Sequence, residues 1–421
     1  MNTQQSKESE LYPRYRYVMG TITIPCAALT YLALLITTPM LVFFSEAFAV
    51  DIATAGYVTT LHVMAMGIFM FVGPVLIGAI DIKRTQLLGV GVMIAGLLLA
   101  WAAPSFPVLL AARLITGAGH GISGSCTNSV IADWFPPKEK SVMITINNLG
   151  LAAMGTLGYA VAVPLYHGLG DSWRGIMLIM LLILVAVEFS WIIWGRDNAA
   201  MRAQIMAQNA SVGKTANAFT GIHEAITRRD SWCLCLYMGL ASVGATGIST
   251  YLPQFLQNVR GYSDAGASAI VGLTTGIGAA GTFLGGIAAT AIGRRKPIIL
   301  PFMLTAGLFA ALMLLSKGHW LISLFLFLYI FSTNFRSTAS WTVATELRDV
   351  TPALASAVSA MIYGVGNIFT LAVPAVYGFA LNAFGAERSM LVFLPAFLLA
   401  LVFALLLPET GKRPLRGKKD R

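Results

Sequence analysis

Long apolar runs constrain this chain more than any other feature. About twelve of them, each near the ~20 residues that cross a bilayer as helix, fall around residues 18–45, 53–80, 86–103, 106–133, 142–165, 173–195, 231–257, 264–290, 297–316, 320–346, 352–381 and 388–408. A soluble domain has no use for so much apolar sequence: the mean hydropathy is +0.75, and only 11% of the 421 residues are charged. The runs do not alternate polar with apolar, so they read as helices rather than barrel strands, and in hydrocarbon a helix satisfies its own backbone hydrogen bonds. The expected fold class is an all-α membrane protein of twelve transmembrane helices. The first run is too long for a cleaved signal peptide, and further spans follow it.

The longest hydrophilic stretch divides the chain into equal hydrophobic halves, the outline of a duplicated transporter. The expected organisation is a cytoplasmic tail over 1–17, a six-helix bundle over 18–195, a cytoplasmic linker over 196–230, a second six-helix bundle over 231–408 and a basic tail over 409–421. The sequence HEAITRRD near the end of the linker suggests a short surface helix. A net charge of +10 could suggest nucleic acid, but its placement argues otherwise. Outer loops hold only Arg174, Arg260, Lys317 and Arg388, spans hold Arg113 and Arg336, and all other Lys and Arg fall in segments that are cytoplasmic when both termini are inside. This positive-inside pattern is topology and leaves no nucleic-acid footprint; the compact loops and short tails lead to the expectation of a multi-pass protein of the cell (inner) membrane.

Cys26, Cys126, Cys233 and Cys235 all lie in spans and read as small packing residues, since Cys233-x-Cys235 lacks redox or metal spacing. No Walker loop, metal motif or nucleophile elbow is present, so no cofactor, no metal, no ATP and no enzyme activity are expected.

Polar residues inside the spans carry the functional reading. In the stretch Ala111 to Lys140, Arg113 and His120 lie seven residues apart and share a helix face, among Gly117, Gly119, Gly121 and Gly124. An ionisable group in hydrocarbon normally faces a polar cavity and marks a pathway. In the tenth span, Ser332, Arg336 and Ser340 share one face and Asn334, Thr338 and Thr342 a neighbouring one, a polar wall suited to a midplane site. Two guanidiniums could hold a large carboxylate or dianion through bidentate forks. The plainer alternative for Arg113 is a clamp on carbonyls of a broken neighbouring helix. His62, His120 and Glu188 are the proton-coupling candidates; the plainer reading makes the histidines satisfied packing residues and Glu188 a snorkelling or paired side chain on a peripheral span. Tyr31, Tyr251, Asn334 and Tyr363 are candidate cavity-lining groups.

These residues carry a family likeness over nearly the whole chain. The 6 + 6 layout, the turn GGIAATAIGRRK after the eighth span, and Arg113-x-x-x-Gly117-x-Gly119-x-Gly121 resemble the major facilitator superfamily. The resemblance implies two pseudo-symmetric six-helix bundles and alternating access, with inner turns that latch a gate. The signature of those turns is split here. Asp81, Lys83 and Arg84 stand in a shortened first copy that lacks the second glycine; Arg294, Arg295 and Lys296 follow Gly293 in the second, which has Thr290 where the acid belongs. The family's drug exporters carry a Gly-Pro-Gly-rich fifth span and often an acid in span 1, and this chain has neither. The stretch Arg113 to Lys138 is more similar to the anion symporters and the cyanate or oxalate permeases, in which span-borne arginines hold the anion. His120 stands where the anion symporters often have an acid.

The expected function is uptake or exchange of a small organic anion, with Arg336 and Arg113 as anion ligands. The expected partners are that anionic small molecule, a proton or counter-anion and the lipid bilayer, with no nucleic acid, the protein acting as a monomer. Proton-driven efflux of a drug or metabolite is the alternative, and a transporter-like sensor a third class.

Overall fold

Apolar stretches become helix because nothing else satisfies their backbone in hydrocarbon. The computed structural model describes residues 12–203, 218–344, 346–347 and 352–411, so most of both expected tails lies outside the described residues. In chain order the helices are α1 (Arg16–Leu35), α2 (Leu41–Phe48), α3 (Tyr57–Ile80) after a single turn at Ile52–Ala55, α4 (Ile82–Trp101), α5 (Phe106–Trp134), α6 (Pro137–Gly168) and α7 (Trp173–Trp194). The short α8 (Ala218–Thr227) stands where a linker helix is expected. There follow α9 (Arg229–Arg260), α10 (Asp264–Ile292), α11 (Lys296–Leu315), α12 (His319–Val343), α13 (Pro352–Thr370), α14 (Ala372–Ser389), a 3-10 turn at Met390–Phe393 and α15 (Leu394–Leu406). No strand occurs among the described residues.

Ten helical segments among the described residues are long and apolar enough to cross a membrane. One of them, Ala357–Leu406, holds two passes, because Gly385 turns the chain back at φ 75° inside it. Helix α5 is also long enough at 29 residues, but its glycines, serines, Arg113 and His120 dilute its hydropathy; with it the expected twelve passes are present. The first pass departs from a continuous helix over 18–45. Helix α1 stops at Leu35 and α2 begins at Leu41, because Pro39 disfavours helix at the residue before it and the Thr37 hydroxyl donates back to Leu34 O at 2.8 Å.

The chain falls into two compact units: Met1–Thr215 with Ser263–Gly272, and Ala216–Tyr262 with Leu273–Arg421. Inside each unit the same partnerships recur. The third pass packs on the fourth and the sixth, as α4 on α5 and α7 in one unit and α11 on α12 and α15 in the other; the first packs on the fifth, as α1 on α6 and α9 on α13.

Glycines set the closest approaches. A Cβ on Gly117 or Gly121 of α5 would run into the backbone of His62 or Met66 on α3, and one on Gly119 into Gly89 and Met93 of α4. In the second unit the small residues sit on the partner instead: a Cβ on Gly278 of α10 would lie 2.7 Å from Asn334 Nδ2, and one on Gly285 would strike Phe335 O of α12. Close backbone approach of this kind is how membrane helices associate without a hydrophobic drive between them.

Candidate functional site

The glycines of α5 bring His120 onto α3. His62 Nε2 and His120 Nδ1 lie 3.1 Å apart in a buried hydrogen bond, their rings edge-on at 5.4 Å and 73°. His62 is 0% exposed and His120 6%, and His62 Nδ1 has no partner among the described residues. Half-buried Tyr31 of α1 sets its ring edge-on against His120, centroids 6.4 Å apart.

Two turns back on the same helix, Arg113 is fully buried, and its guanidinium is engaged. Nε donates to Val58 O at 3.0 Å, Nη1 to Ala33 O at 3.5 Å and Nη2 to Thr37 Oγ1 at 3.0 Å. Ala33 belongs to the last turn of α1, where carbonyls lack intrahelical donors and a cation is favoured. Through these bonds Arg113 ties the broken end of the first pass to α3.

Arg336 on α12 stands otherwise. It is 6% exposed, and Nη1 donates to Tyr237 Oη at 2.8 Å; among the described residues this is its one side-chain hydrogen bond, and Nε is buried without a partner. A buried unpaired donor on a charged group costs more than the ~1–3 kcal/mol of a neutral one. Tyr237, on α9, is fully buried, and its ring lies 5.6 Å from the guanidinium carbon. Nothing in the sequence marked Tyr237, because it stands 99 residues from Arg336.

The rest of the polar wall divides between helices. Ser340 Oγ lies 2.7 Å from Tyr237 Oη, whereas Ser332 Oγ bonds Thr305 Oγ1 of α11 at 3.2 Å. Asn334 faces α10: its Nδ2 donates to Ile330 O at 2.9 Å and its Oδ1 accepts from Thr282 Oγ1 at 3.4 Å, while Thr338 donates to Thr282 O at 3.2 Å. That second face is a helix seam. Tyr251 is fully buried and stacked on Tyr377, centroids 3.8 Å apart. The side chain of Tyr363 lies outside the described residues. Glu188, half-buried on α7, points its carboxylate at the α4 seam, with Oε1 3.9 Å from where a Cβ on Gly91 would stand.

The two basic turns are built alike inside their own units. In the first, Asp81 sits at φ 76° between α3 and α4, the left-handed region that Gly293 occupies in the second at φ 67°. The missing glycine of the shortened copy thus leaves an aspartate in a conformation that costs a non-glycine residue energy. Asp81 pairs with Arg202, Asp197 accepts from Lys83 N at 3.0 Å, and Lys83 Nζ donates to Ile192 O at 3.0 Å. Arg84 is exposed. In the second turn, Glu409 accepts from Arg295 N at 3.0 Å and Lys296 N at 3.1 Å and pairs with Arg294 at 3.0 Å. Glu346 takes Arg295 through a two-bond fork of 2.8 and 2.5 Å and holds its guanidinium above the usual arginine range despite burial. Lys296 Nζ donates to Leu405 O at 2.8 Å. The acid that Thr290 denies this turn is supplied by Glu346 and Glu409. In both units a carboxylate just past the sixth pass caps the first turn of the third, where backbone N–H groups and the helix dipole favour an anion.

A family model described as Major Facilitator Superfamily matches residues 23–370. The chain belongs to the major facilitator superfamily. Its fold is that of the superfamily: a bacterial homologue of the human lysosomal transporter Spinster aligns over 94% of this chain and 97% of its own, with a TM-score of 0.74 at 18% identity. Among curated members, the chain is 24% identical over 344 residues to a probable galactarate/D-glucarate transporter of Bacillus subtilis, covering 75% of this chain and 73% of the relative. It is 26% identical over 266 residues to the cyanate transport protein of Escherichia coli, covering 63% and 65%. A lincomycin resistance protein of Bacillus subtilis matches at 28% over 142 residues, 34% of this chain and 26% of that one.

Proposed function

We propose that this superfamily member carries a small organic anion of the carboxylate class by alternating access, in symport with a proton or in exchange for another anion. The observation that carries the reading is Arg336: a guanidinium in an apolar span, buried, with Nε unpartnered among the described residues. An intramembrane charge is functional by default, and a carboxylate would satisfy the fork that the protein leaves open. Galactarate, glucarate and cyanate, named for two relatives, are anions.

In this mechanism the anion's carboxylate docks on Arg336 and neutralises it, which lowers the cost of moving the charged site between its two accessible states. Arg113 holds the end of α1 to α3 and serves the site as scaffold. The His62–His120 pair carries the accompanying proton, with Glu188 the second candidate. The turns of Asp81, Lys83 and Arg84 and of Arg294, Arg295 and Lys296 latch the cytoplasmic gate, and both termini lie on that side.

The test is a thermal-shift screen of purified protein, beginning with glucarate and galactarate and extending to monocarboxylates, cyanate, amines and hydrophobic drugs. A ligand that binds the folded state raises the melting temperature by mass action. Stabilisation by a carboxylate that disappears in Arg336→Gln supports the reading. The shorter match to the lincomycin resistance protein favours efflux as a second reading; stabilisation by drugs alone, indifferent to Arg336→Gln, would establish it instead.

A further inference from the structure

We infer that Tyr237 is a positioning residue, fixing the Arg336 guanidinium so that its Nε/Nη2 edge receives a substrate carboxylate side-on. This rests on the reading of Arg336 as the anion ligand. The hydroxyl of Tyr237 accepts from Arg336 Nη1 at 2.8 Å. Ser340 Oγ spends its own hydrogen on Arg336 O at 2.9 Å, so in the 2.7 Å contact between the two hydroxyls the hydrogen belongs to Tyr237. Each hydrogen is used once, and the bonds close a loop from the guanidinium of Arg336 back to its own carbonyl.

A long arginine side chain loses rotamer freedom when it is held, and a ligand that meets it already held is spared that cost. The loop does this through Nη1 alone. The side-on edge, formed by Nε and Nη2, has no protein partner among the described residues, and its Nε is closed off from solvent. A planar carboxylate matches that edge with two parallel N–H···O bonds. The ring of Tyr237, 5.6 Å from the guanidinium carbon, lies close enough to steady the cation as well. Phenylalanine keeps the ring and its packing and removes both hydroxyl bonds, so the substitution isolates positioning from shape.

Glucarate, the first probe of the screen above, is titrated against wild type, Tyr237→Phe, Ser340→Ala, Arg336→Lys and the double variant Tyr237→Phe/Arg336→Lys, with exchange in proteoliposomes alongside. The expected result is a glucarate dissociation constant roughly 10-fold weaker in Tyr237→Phe and about threefold weaker in Ser340→Ala, at a maximal exchange rate kept within about twofold. In the Arg336→Lys background the fork is gone, so Tyr237→Phe shifts the constant by less than about twofold. An unchanged constant in Tyr237→Phe, or the same fold-change in both backgrounds, overturns the inference and leaves Arg336 as the ligand. Should Tyr237→Phe fail to fold, an unchanged constant in Ser340→Ala overturns it equally. Wild-type affinity in Arg336→Lys would overturn the reading of Arg336 itself.

Discussion

The two intramembrane arginines occupy matching helices, the fourth pass of each half, and have opposite surroundings. Arg113 spends its guanidinium on two carbonyls and a hydroxyl; among the described residues Arg336 makes one side-chain hydrogen bond, to Tyr237, and its buried Nε has no partner. Both side chains are buried, so burial does not distinguish the two. What separates them is the count of donors already answered by protein: a satisfied guanidinium holds helices together, and an unsatisfied one has capacity left for a ligand.

The largest expected effect sharpens this contrast. Arg336→Gln should weaken carboxylate binding by at least about 100-fold, since losing one partner of a buried charge pair costs roughly 2–5 kcal/mol, and the melting temperature without ligand should hold or rise because an unpaired buried charge is removed. Isothermal titration and an unliganded melt check the two halves of that statement. Next in size are Gly117→Ala and Gly285→Ala, each driving a methyl into a neighbouring backbone; overpacking of about 1–3 kcal/mol or more should appear as lost yield and a lower melting temperature in both halves. Equal stability of either variant would break the picture of glycine-set helix seams.

Arg113→Gln comes third. It should lower stability by about 1–3 kcal/mol, the cost of leaving Val58 O, Ala33 O and Thr37 without their donor, while the affinity of the folded protein for a carboxylate found in the proposed screen stays within about threefold. The smallest effect is expected at the turns. Glu409→Gln and Asp197→Asn each weaken a charged cap on the first turn of a helix, worth roughly 0.5–2 kcal/mol. Glu409→Gln should cost more, because Arg294 also loses its partner. Melting curves of the two variants side by side check the order.

Much of this was legible in the sequence, and the part that was not has a physical reason. Long apolar runs report burial in hydrocarbon whatever their partners, so the passes could be read directly. Helical spacing placed Ser340 beside Arg336, because residues four apart on one helix must meet. The same spacing groups Ser332 with them, and Ser332 bonds Thr305 on α11. Asn334 and Thr338 bond to Thr282 on α10, partners that periodicity cannot name inside a bundle polar on several sides.

Partnerships across helices were invisible. His62 and His120 were separate candidates 58 residues apart, and nothing local announces that Gly117 and Gly121 let their helices close until the rings bond. The basic turn after Gly293 looked incomplete because Thr290 replaces an acid; its carboxylates come from Glu346 and Glu409, 51 and 115 residues from the arginines they pair with. The shortened first turn looked like a missing glycine, and the structure makes it Asp81 at positive φ.

The contrast between the arginines is tested most directly by the melting temperatures of wild type, Arg113→Gln and Arg336→Gln with and without a saturating concentration of the carboxylate that stabilises wild type most in the proposed screen. At about 100 times the dissociation constant a bound ligand adds roughly 2.7 kcal/mol of stability. A clear upward shift is predicted in wild type and the same increment in Arg113→Gln, from its lower starting temperature, with no shift in Arg336→Gln. A shift that survives in Arg336→Gln and vanishes in Arg113→Gln would contradict it and move the anion site to the other half of the molecule.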